Sequence, residues 1–236
     1  MVWDRLRLVL LYFYWNLEKK LNQLLVLLWA GIISLSFRYK GFIFNTYDSL
    51  LKFILRRFNQ TFLLFVPLFF LDSENLFKFK FTWIYMSISI GIPLFYWVMN
   101  FTKVQFLLAD FAYISGEIPT HIYIINFINS LFLIIGEELF FRYTVYYFFI
   151  GKGFLVVLFL SNFLFVLSHL VSTPKGYSRN DIFRQIFFST VCCYLLFKTN
   201  NIVYAILTHF IFNLPFVLVS IRRVIFNCVN TDDNYQ

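Results

Sequence analysis

Charge is what this chain of 236 residues is shortest of: only 14% of its residues are Asp, Glu, Lys or Arg, while 60% are hydrophobic. A soluble domain carries about a quarter charged residues, so the deficit excludes a single soluble core under an ordinary polar surface. Mean hydropathy is +0.73, and the apolar residues fall in long blocks. An AT-rich coding sequence can place Phe, present 35 times, where Leu would serve, but it does not clear charges from whole stretches. Cysteine is scarce as well. Cys192 and Cys193 adjoin inside an apolar run and Cys228 stands alone, which excludes a disulfide framework. The net charge is +8, yet no basic face with interleaved polar residues exists, so nucleic acid is not an expected partner. The run Leu8–Trp15 has basic residues before it and no small-residue cleavage site after it, and is not expected to be a cleaved signal.

What is present is a series of apolar runs punctuated by basic pairs: Lys19 and Lys20, Arg38 and Lys40, Arg56 and Arg57, Arg222 and Arg223. Membrane proteins anchor their loops to anionic headgroups in this way. A bilayer core takes about 20 apolar residues of helix. Leu21–Phe37, Phe81–Phe101 (with Pro93 tolerated inside it), Ile122–Ile150, Phe154–Val171, Ile182–Phe197 and Ile202–Ile221 meet or approach that length. Thr61–Leu71 spans only if its helix starts near Leu50 and accepts Lys52, Arg56 and Arg57. Thr102–Thr120, with Lys103, Asp110, Gly116, Glu117 and Pro119, reads as a loop or interfacial helix. The expected fold is all-α, a polytopic transmembrane bundle of about six to eight helices, in a multi-pass protein of a bacterial plasma membrane.

Ionisable groups inside such runs are costly in lipid and are functional candidates by default. Four places qualify: Glu137-Glu138 with Arg142, then His169, His209 and Asn213. Glu138 and Arg142 stand one helical turn apart and can pair, and His209 and Asn213 project together in the same way. Glu137 points about 100° away from Glu138, so Arg142 need not neutralise both carboxylates. A lone His in an apolar helix is usually a satisfied core residue, and His121, beside Pro119 and Thr120, reads as an interface residue.

Together these groups suit peptide hydrolysis, which needs an activated water and donors for the tetrahedral oxyanion. A carboxylate in a low-dielectric site beside a second carboxylate makes a useful base, and a His on another helix can hold the same water. His209 with Asn213 can form an oxyanion hole. Alternatively, Glu137, His169 and His209 can bind a catalytic zinc, with water in the fourth position. Both routes stay open at this level. Other chemistries fit badly: no His-Glu-x-x-His or Gly-x-Ser-x-Gly is present, Asp110 has no second membrane aspartate, and Ser168 is not expected to face its neighbour His169 on a helix. A proton-relay transporter is disfavoured by the lack of an inverted repeat.

Glu-Glu-x-x-x-Arg (137–142), Phe-x-x-x-His (165–169) and His-x-x-x-Asn (209–213), in that order on successive apolar helices, resemble the CPBP family of CAAX proteases and bacteriocin-processing proteins. The resemblance covers roughly residues 120–221. It implies an intramembrane endopeptidase acting on a membrane-associated protein or peptide, with Glu137 as the water-activating base and His169 assisting. His209 and Asn213 would hold the oxyanion, and Glu138 and Arg142 would support them. It leaves the family's two descriptions, glutamate-dependent and zinc-dependent, side by side, with no certain cofactor. The alternative is a non-catalytic bacteriocin self-immunity or scaffold protein of the same fold. On this reading residues 1–120 are N-terminal membrane helices, 121–221 the catalytic helical core and 222–236 a polar C-terminal tail.

Overall fold

The computed structural model describes residues 18–36, 50–71, 80–109, 119–172 and 178–232. The run Leu8–Trp15, the basic residues Arg38 and Lys40, and the loop residues Asp110, Gly116, Glu117 and Thr173–Gly176 lie outside the described residues. Among the described residues all regular structure is helical.

Helix α1 covers residues 18–36. Val26, Ala30 and Ile33 are buried on one of its faces, while Leu21, Leu24, Leu28 and Leu35 are exposed on the other. That division follows the 3.6-residue period, but both faces are apolar, as a helix between protein and lipid requires. Helix α2 runs Leu50–Phe65 and tightens into a 3-10 turn at Val66–Phe70. Pro67 causes the change, because its missing N–H leaves the Leu63 carbonyl without its helical donor. The Trp29 indole of α1 donates to that carbonyl at 2.9 Å.

Helix α3, Trp83–Met99, contains Pro93. Helix α4, Phe101–Ala109, occupies the first half of the stretch read as a loop or interfacial helix. The segment expected over Ile122–Ile150 is one continuous rod: α5 Thr120–Glu138, a π-helical segment Leu139–Thr144, α6 Val145–Phe149, and a 3-10 turn Ile150–Lys152. Gly153, with φ 95°, ends it, a backbone state that glycine reaches without penalty. Helix α7 follows at Phe154–Ser172.

Helix α8, Arg179–Thr199, starts at a capping box between Ser178 and Asp181 and stops at Asn200, whose φ of 51° is left-handed. Asn201 then caps the next helix by accepting from the Val203 N–H at 2.9 Å. Helix α9, Ile202–Asp232, contains Pro215. It continues past Ile221 through residues expected as a polar tail, and Arg223, read as a headgroup anchor, is buried. Its guanidinium donates to the Tyr123 hydroxyl at 2.6 Å, so this cation is held inside the bundle.

Among the described residues, four stretches are long and apolar enough to cross a membrane: Thr120–Lys152, Phe154–Val171, Arg179–Thr199 and Ile202–Cys228. Helix α3 is apolar but shorter. The exposed faces are apolar too, with Leu155, Phe159 and Phe163 forming a stripe along α7, so the protein is a multi-pass membrane protein. Helix α9 packs along α5, α3 and α8, and α2 packs against α5. The α2–α5 approach is close because Gly136 has no side chain. A Cβ there would stand 3.0 Å from the Leu64 Cβ and 3.1 Å from Phe65 Cε2. Gly136→Ala is therefore expected to push α2 away and to cost about 1–3 kcal/mol, read as a lower melting temperature in detergent; an unchanged melting temperature would show that α2 yields freely.

Candidate active site

Gly136 brings α5 against α2 immediately before the two carboxylates, and immediately after them the helix widens. In the π segment, hydroxyls occupy carbonyls: Thr144 Oγ1 donates to Leu139 O at 2.9 Å and Ser161 Oγ of α7 to Phe141 O at 2.6 Å. Cys193 of α8 lies 3.1 Å behind Ser161. Such π turns recur at functional sites because they re-aim side chains that a regular helix would place elsewhere.

Glu138 is fully buried and is the hub of the group. Its Oε1 is 2.6 Å from His209 Nδ1 and 3.4 Å from an Arg142 nitrogen. The Arg142 contact is an ion pair without hydrogen-bond alignment: the π turn lies between the partners, and Arg142 Nε and both terminal nitrogens find no hydrogen-bond acceptor among the described residues. The guanidinium instead lies over the Phe165 ring, 4.0 Å from its centre, where the ring quadrupole attracts a cation.

Glu137 is buried at 7% exposure, and among the described residues its one ion-pair contact is loose, Oε2 to His209 Nε2 at 3.6 Å. It accepts no hydrogen bond from a described residue. His209 thus stands between the two carboxylates, one on each ring nitrogen. Phe188 of α8 meets its ring edge-on at 4.9 Å, and Phe165 does so at 6.1 Å.

His169, half-buried on α7, points Nδ1 at the Phe165 carbonyl one turn back, 2.9 Å away, and its ring lies 4.5 Å from the Phe165 ring. Phe165 is therefore a shared platform for Arg142, His169 and His209. The expectation that Ser168 could not reach His169 is corrected: Ser168 Oγ is 3.3 Å from His169 Nδ1. Sequence neighbours meet here because both turn back to one carbonyl, with Ser168 donating to Phe165 O at 2.7 Å. That bond takes the hydroxyl proton, so Ser168 is a helix-backbone partner. Asn213, half-buried one turn beyond His209, makes no hydrogen bond among the described residues. His121 is exposed at the start of α5.

Residues 119–215, which hold all six of these groups, match the family model described as Type II CAAX prenyl endopeptidase Rce1-like. This segment is similar to that family. No curated protein and no solved structure matches the chain. The Rce1-like segment takes in α5 to α8 and the first half of α9; α1 to α4 lie outside it.

Within this segment the zinc alternative meets an obstacle in the donor set. His209 has one ring nitrogen on Glu138 and the other toward Glu137, and among the described residues no three His, Cys, Asp or Glu side chains are arranged to hold a metal ion. Two features of the site have no signal in the sequence. Glu138 and His209 are 71 positions apart, and no local spacing marks their bond. Phe188 is one Phe among 35 and belongs to no motif.

Proposed function

We propose that this protein is an intramembrane endopeptidase that hydrolyses a peptide bond of a membrane-associated protein or peptide in a bacterial plasma membrane, with Glu137 activating the water. The observation that carries this reading is the unequal engagement of the two carboxylates. Glu138 is committed to His209 and Arg142, whereas Glu137 has only a 3.6 Å approach from His209 and keeps lone pairs for a water. The similarity of residues 119–215 to that family points to the same reaction class.

The chemistry follows from the side chains. A water between Glu137 and His169 gives a proton to the Glu137 carboxylate as its oxygen attacks the scissile carbonyl. The Glu138–His209 hydrogen bond carries one proton, on either partner. In both arrangements Nε2 can keep its own hydrogen and donate it to the developing oxyanion. The Asn213 amide, on the same face of α9, supplies a second donor. Collapse of the tetrahedral intermediate breaks the C–N bond, and Glu137 passes its proton to the leaving amine.

The test is cleavage of quenched-fluorescence peptides, with and without a prenylated cysteine near the C-terminus, by purified protein in detergent and in liposomes. Cleavage that survives a strong chelator is the expected result. Loss on chelation with return on adding zinc would reject the glutamate route, since a metal would then generate the nucleophile. A folded protein that cleaves no peptide would favour the non-catalytic immunity or scaffold reading.

A further inference from the structure

The side chains assigned to the oxyanion, His209 and Asn213, flank a weak point in their own helix. Ile211 lies between them, and its carbonyl would accept from the N–H of residue 215 in a regular helix. Residue 215 is proline, which has no N–H, and in a bilayer no water replaces the lost donor. The Trp97 indole of α3 donates to the Ile211 carbonyl at 3.1 Å. Trp97 also packs 5.7 Å from Phe212 and 6.4 Å from Phe216. Phe212 stacks on Phe188 at 4.5 Å with the rings 21° apart, and Phe188 meets His209. Trp97 therefore reaches His209 by two routes, one through the α9 backbone and one through two aromatic rings. Trp29 bonds the carbonyl freed by Pro67 in the same manner, so this chain uses the device twice, but only Trp97 applies it at the site.

We infer that Trp97, which lies outside the Rce1-like segment, is a positioning residue for the reaction: its indole N–H fixes the turn of α9 that aims His209 and Asn213 at the oxyanion. The inference rests on the peptidase reading for its consequence in turnover and on geometry alone for its effect on His209. An interior carbonyl with no donor would let the turn around Pro215 relax, and small displacements of catalytic donors cost rate far more than binding.

The experiment is a four-protein cycle of wild type, Trp97→Phe, Pro215→Ala and the double variant. Trp97→Phe keeps an aromatic ring and removes the N–H. It is expected to lower kcat by about 10- to 100-fold with KM within about twofold. Pro215→Ala restores a backbone donor to Ile211, so the double variant should recover to within about threefold of wild type, a coupling that independent sites do not show. Replacing Trp97 with benzothienylalanine, which keeps a fused two-ring side chain with sulfur in place of the N–H, should reproduce the loss if Trp97→Phe fails to fold. A Trp97→Phe protein with wild-type kcat, or a loss that Pro215→Ala leaves unrepaired, overturns the inference. The same proteins labelled with ¹⁵N-histidine read the coupling without turnover. The His209 resonance, identified by its loss in His209→Asn, should move in Trp97→Phe and return in the double variant. That pattern in a protein that cleaves nothing would reject the peptidase reading and keep the positioning role; an unmoved resonance would reject the positioning role itself.

Discussion

Glu137→Gln abolishes measurable cleavage while the protein still inserts, purifies and melts close to wild type: that is the expected result at the centre of the site. Gln has the size and nearly the shape of Glu, and the one ion-pair contact among the described residues that it would lose is the 3.6 Å approach to His209 Nε2. Such a long contact contributes little to folding. What the substitution removes is the capacity to take a proton from water and return it to the leaving amine, a role worth about 10²–10⁴ in rate. The fall should appear in kcat, with KM largely kept, because the carboxylate acts on the water and on the transition state rather than on substrate binding. Activity per folded molecule, measured beside the melting temperature, separates this from simple unfolding. A Glu137→Gln protein that cleaves near the wild-type rate would remove Glu137 from the mechanism.

Glu138→Gln has the opposite profile. Glu138 Oε1 serves two partners at once, His209 Nδ1 at 2.6 Å and Arg142 at 3.4 Å, in a place with no exposure to solvent. A neutral amide can still accept from the imidazole, but it leaves the Arg142 charge without its nearest counter-charge inside the bundle. Removing one partner of a buried ion pair costs about 3–5 kcal/mol. Poor expression and a large drop in melting temperature are therefore expected before any effect on chemistry is read. Glu138→Gln combined with Arg142→Gln should recover part of the loss, since the stranded charge then goes as well. If Glu138→Gln is stable but inactive and Glu137→Gln still cleaves, the two carboxylates have exchanged the roles given them here.

Both expectations depend on the difference between adjacent glutamates, and the sequence alone carries part of it. The four-residue spacing to Arg142 singles out Glu138 and leaves Glu137 on another face. That spacing assumes a regular helix through the intervening turn, however, and the π segment Leu139–Thr144 shows why the resulting pair is an ion contact rather than an aligned hydrogen bond. The second and tighter claim on Glu138, from His209, crosses from α5 to α9. Spacing rules describe residues one turn apart and are silent about residues brought together by helix packing.

What the sequence by itself determined is what depends on composition and local order. Long uncharged runs dictate an all-helical membrane protein, since only closed hydrogen bonding survives in lipid. The start of α7 and the three polar motifs were legible for the same reason: glycine and isolated charges act on their own turn of helix. Tertiary structure decided everything that depends on which helices touch. It placed His209 between two carboxylates, put Phe165 under Arg142 and both histidines, buried Arg223 against Tyr123, and brought Trp97 to the carbonyl that Pro215 had freed. Where a helix is apolar around most of its circumference, as α7 is, hydropathy does not distinguish the face that meets lipid from the face that meets protein. Small residues such as Gly136 and the few polar groups needing partners decide the packing, and their partners lie far away in sequence.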